Sequence, residues 1–110
     1  MNMLESLQQS LSDYQNELET LVNLSVKAQI HLDAATTEYD EVVQASERLL
    51  DFGDLLAGRN AKEFNLMKYT SKAKLVAAVR QVESIESFKV KVLHNIRITE
   101  INIQKLVSLH

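Results

Sequence analysis

The chain has 110 residues, no proline and only two glycines, so it has very few places to turn. Average usage would supply about eight glycines and five prolines at this length. Both glycines fall within the stretch from Phe52 to Asn60, which is the one candidate break. Few breaks mean long elements. The sequence predicts an all-α fold with a helix over about 3–51, a turn over about 52–60 and a helix over about 61–108, together forming a single helical domain over 1–110. Each arm would be about 70 Å long at the helical rise, and equal arms are what a hairpin needs if neither is to stand unpaired.

The apolar pattern supports two coiled-coil-like arms. Leu4, Leu7, Leu11, Tyr14, Leu18 and Leu21 alternate steps of three and four, which is one helical seam. The same register continues through Ser25, Ala28, Leu32, Ala35, Tyr39, Val42, Ser46 and Leu49, so this helix has large ends and a small-residue middle. Asn2 and Glu5 have the spacing of a capping box at its start, and Gly53 is a candidate left-handed residue past its end. Asn60 and Glu63 repeat the start signal.

In the second helix Leu75, Ala78, Val82, Ile85, Val92, Ile96, Ile103 and Leu106 hold a heptad register, with Lys89 and Thr99 as polar intrusions. Two alternatives compete. From Phe88 onward Val90, Val92, Ile96, Ile98, Ile101 and Ile103 also suggest a period of two, so a β-hairpin over 88–103 is open, although a lone two-stranded sheet lacks support. A break at Thr36-Thr37 would give three helices, as in a spectrin-type repeat.

Charge favours folding back. Residues 1–54 carry eleven acids against Lys27 and Arg48, a net of −9; residues 55–110 carry ten bases against four acids, a net of +6. An acidic arm followed by a basic one sets orientation, while buried leucines and isoleucines supply most of the stability. With the turn at the glycines, facing residues have numbers that total about 112, which sets Ala34-Ala35 opposite Ala77-Ala78. Small residues there let the backbones approach closely.

One seam does not use all the apolar residues. Val22, Val26 and Ile30 form a second stripe at steps of four, and Leu93, Ile98, Ile101 and Val107 lie off the seam of the second helix. A two-helix hairpin has no further layer to cover them, and exposed apolar patches mark interfaces. These seven are the candidate interface residues. The expected function is a non-enzymatic helical protein–protein interaction module: an oligomerising or complex-forming coiled-coil scaffold subunit, associating into a four-helix or larger bundle with itself or with a heteromeric helical partner. The alternatives are a small helical chaperone or secretion-associated protein that holds another protein's amphipathic helix, and a membrane-surface or nucleic-acid-binding hairpin. Nucleic acid and membrane are disfavoured, because the bases are spread around their helix and the acidic arm offsets their field.

Catalytic and cofactor patterns are absent from the sequence. His31, His94 and His110 include no pair at helical metal-ligand spacing, and no glutamate precedes a histidine by three. Asp40-Glu41 and Glu83/Glu86 read as solvated charge, and Tyr14 and Tyr39 as seam aromatics. There is no nucleophile elbow and no phosphate loop, so no cofactor, metal or enzymatic activity is expected. The chain has no cysteine, hence no disulfide or thiolate chemistry. The most apolar run, Phe88 to Leu109, is interrupted by Lys89, Lys91, His94, Arg97, Glu100 and Lys105, so no transmembrane segment is expected. With no signal-peptide pattern either, the expected location is cytoplasmic, and export by a signal-independent route stays open. In length and two-helix plan the chain resembles the secreted helical hairpins of the WXG100 type. Where those carry Trp-x-Gly at the bend it has Phe52-Gly53-Asp54, so the motif is not met and no family is assigned.

Overall fold

The structure, a computed structural model, describes residues 2–51 and 59–109. Two helices account for it: α1, Met3–Asp51, and α2, Arg59–Ser108, packed as an antiparallel hairpin. The turn expected at 52–60, with Gly53 in it, lies largely outside the described residues. Contacts divide the hairpin into two compact units, Met1–Val26 with Glu83–His110 and Lys27–Val82.

Local chemistry explains why α1 starts where it does and why the helices run so far. The Asn2 side chain accepts a 2.8 Å bond from the Glu5 amide, and the Asn2 carbonyl accepts the first helical bond from Ser6. This is the asparagine half of the expected capping box, and it satisfies an amide the helix itself leaves free. Asn60 lies within α2, so it is not the residue ahead of the helix that the expected second capping box requires.

The Thr36-Thr37 pair does not break α1. Their hydroxyls donate to the carbonyls of Leu32 and Asp33, at 2.8 and 3.0 Å, so both side chains fold back onto the preceding turn. Thr20 and Thr99 do the same with Asn16 and Asn95. Residues 88–103 are helical throughout. The β-branched residues there cost a helix only tenths of a kcal/mol each, whereas an isolated pair of strands would have nothing to pack on.

Each unit has its own stretch of seam. In the unit of 1–26 and 83–110, Val92, Ile96 and Thr99 are buried, and the leucines from Leu4 to Leu21 are half-buried beside Ile85, Ile103 and Leu106. In the unit of 27–82 the buried residues are small: Ala28, Ala35, Ser46, Ser71 and Ala78. Of the alanines expected to face each other, Ala35 and Ala78 do the packing, while Ala34 and Ala77 are exposed. Successive helical residues point about 100° apart, so only one of each adjacent pair reaches the seam.

Two bonds across the hairpin fix the register, one in each unit. Ser25 bonds to Glu86 and Glu38 to Lys74, pairs whose residue numbers total 111 and 112. Phe64, Lys68 and Ser71 extend the seam of α2 toward its start; all are buried or half-buried. Among the described residues no large side chain is fully enclosed, as expected where only two helices meet.

Candidate protein interface

Heptad letters sort the outer surface. Leu4, Leu11 and Leu18 on α1 and Val82, Lys89 and Ile96 on α2 take position a; Leu7, Tyr14 and Leu21 with Ile85, Val92 and Thr99 take d. In an antiparallel pair the g positions of both arms share one side of the hairpin and the e positions share the other. Glu38 and Lys74 are both g, and their side chains meet at 3.2 Å. Glu86, at e, reaches Ser25 at a on the other side.

The seven candidate interface residues are all exposed, from 42% for Ile101 to 65% for Ile30. They do not lie on one side. Val22, Val26, Leu93 and Val107 occupy e or b positions, Ile98 is at c on the g side, and Ile30 and Ile101 fall at f on the outer edges. A stripe with steps of four drifts around a helix whose contact seam advances by 3.5, which is why equal spacing did not mean a common face.

In the unit of 1–26 and 83–110 the two sides differ sharply in charge. The e/b side carries Glu5, Glu19, Glu83, Glu86 and Glu100 against Arg97, a net of −4. The g/c side carries Asp13 and Glu17 on α1 against Lys91 and Lys105 on α2, a net of zero with the signs separated between the arms. Exposed apolar residues occur on both sides: Val22, Val26, Val90 and Leu93 on the first, Met3, Leu24, Phe88 and Leu109 on the second.

Sequence reasoning passed over Leu24 and Met3. Each looks like a single apolar residue outside any stripe. Their signal lies in the register: Leu24 stands level with Phe88, and Met3 with Leu109, both pairs at g positions. The end of the g/c side is grooved, with a volume of about 300 Å³ between Met3, Leu7, Leu106 and Leu109, and Asn102 and Lys105 on its rim. Lys91 holds its ammonium 5.5 Å from the centre of the Phe88 ring, so this cation lies over the same side.

On the e side, Glu86 accepts from the Ser25 hydroxyl at 3.0 Å and from Lys89 at 3.2 Å. The Ser25 bond, with the nearby Lys89 ammonium, holds the Glu86 carboxyl below its ordinary range. Lys89 occupies a seam position with its side chain only 24% exposed, so its stem packs in the seam while its head reaches Glu86.

In the unit of 27–82, Ile30, Leu66, Met67 and Tyr69 are each at least half exposed. A groove of about 230 Å³ runs between Val42, Leu66, Met67 and Ser71. His31 and His94 are exposed, and His110 lies outside the described residues. Among the described residues no cluster of three or more His, Cys, Asp or Glu is arranged to hold a metal ion, and no helix is long and apolar enough to cross a membrane. Comparison with protein-family models, with curated proteins and with solved structures finds no match to this chain.

Proposed function

We propose that this hairpin is a non-enzymatic helical interaction module, a coiled-coil scaffold subunit that covers its outer apolar residues by packing against further helices. The supporting observation is an imbalance of burial. Among the described residues five apolar side chains are buried, three of them alanines, whereas seventeen large ones are exposed. Singly scattered apolar residues need no explanation, but this number on so thin a body favours further packing partners. Val22, Val26, Ile30, Leu93, Ile98, Ile101 and Val107 belong to this outer set.

Light scattering on the size-fractionated protein tests the reading. A dimer or larger assembly is expected, and Leu24→Asp with Phe88→Asp, both exposed and outside the seam, should weaken it while leaving most of the helicity. A compact, stable monomer at micromolar concentration would sink the proposal.

A further inference from the structure

We infer that the partner of the g/c side, in the unit of 1–26 and 83–110, is a second copy of this chain, docked so that α1 of each copy lies on α2 of the other. This rests on the reading that the outer apolar residues pack against helices, and it names the face and the occupant.

Charge selects the face. A second copy on the e/b side would bring two surfaces of net −4 together, with only Arg97 on each to offset five glutamates. Like charges across an interface cost affinity and exclude that pairing. The g/c side has no such penalty, because its acids are all on α1 and its bases all on α2.

Charge also selects the symmetry. Two copies can meet face to face about a two-fold axis that runs across the helices or along them. The first sets α1 on α1 and α2 on α2, acid on acid and base on base. The second sets α1 on α2 twice, which brings Asp13 and Glu17 of each copy toward Lys91 and Lys105 of the other. Glu17 stands level with Asn95, about one helical turn from Lys91.

The apolar residues then fall into register without adjustment. A two-fold axis along the hairpin keeps every residue at its own level. Leu24 and Phe88 are level, so both copies' side chains converge in one four-membered layer; Met3 and Leu109 do the same beside the groove that their own side chains line. The result is a four-helix bundle in which all neighbouring helices are antiparallel.

The chain has no cysteine, so single cysteines report contacts cleanly. Ser10 and Asn102 are level on the g side, and Gln8 and Gln104 are level on the e/b side. Mixing Ser10→Cys with Asn102→Cys protein under oxidation should give the mixed disulfide dimer as the main product, and mixing Gln8→Cys with Gln104→Cys should give none. Lys91→Glu with Lys105→Glu should lower the light-scattering mass to that of a monomer with helicity kept, and adding Asp13→Lys and Glu17→Lys to the same chain should restore the dimer.

A dimeric mass with crosslinking only through Gln8 and Gln104, or only between like positions, overturns the assigned face or axis and leaves the interaction reading intact. A wild-type monomer overturns both.

Discussion

The hydroxyl of Ser25 donates a 3.0 Å hydrogen bond to the Glu86 carboxylate, joining residues 61 positions apart across the hairpin. Serine at a seam position leaves room for a carboxylate from the flank, and the Lys89 ammonium holds the same oxygen at 3.2 Å. The two contacts tie a polar layer into an otherwise apolar stretch of seam.

This layer is pH-dependent with a definite sign. Folding lowers the Glu86 pKa from its ordinary value of 4.5, so its contribution to stability is fully present above that value and is lost as pH falls through the lowered one. Thermal melts of the wild type and Glu86→Gln, followed by circular dichroism, should differ at neutral pH and converge in acid. A constant gap across that range would show that Glu86 makes no ionised contact that matters.

Ala35 and Ala78 are 5% and 2% exposed, which leaves no space for a larger side chain. Ala35→Leu or Ala78→Leu should destabilise the hairpin by about 1–3 kcal/mol through overpacking. Ala34→Leu, on the exposed neighbour, should stay within about 0.5 kcal/mol of wild type. Urea unfolding measures both, and equal effects at Ala34 and Ala35 would refute the seam assignment.

Ile96 and Ile101 have the same side chain in different surroundings, 9% against 42% exposed. Ile96→Ala should cost roughly 2–5 kcal/mol in unfolding experiments, the range for a truncated buried isoleucine. Ile101→Ala should cost far less in the fold, with any loss appearing in association.

The cap at Asn2 accepts the Glu5 amide at 2.8 Å. Asn2→Ala should remove about 1 kcal/mol of stability. Amide hydrogen exchange should show the loss as faster opening of the first turn of α1, with protection at Val92 and Ile96 changed far less.

The seam was readable because leucine, alanine and isoleucine recur at steps of three and four, and the missing prolines left no other place for a turn. Its polar members were harder to see. Lys68 and Ser71 lie in the seam, yet only counting the heptad back from Leu75 reveals them, since neither has an apolar signature. The division of the outer surface into an acidic side and a charge-separated side was not readable from one helix alone. It emerges only when the register between the arms is known, because Leu24 gains meaning from Phe88 and Met3 from Leu109. The stripe Val22, Val26, Ile30 was visible in the sequence, but its rotation from e through b to f was hidden by its even spacing.

A join made largely of alanine, serine and half-covered leucine distributes cohesion thinly along many rungs. No single rung is a keystone, so the arms should part progressively from their tips, as a zip fastener does, with partial openings preceding full melting. Anything that clasps the flanks would suppress those openings along the whole clasped length, and rigidity in this molecule would then be a property acquired in company.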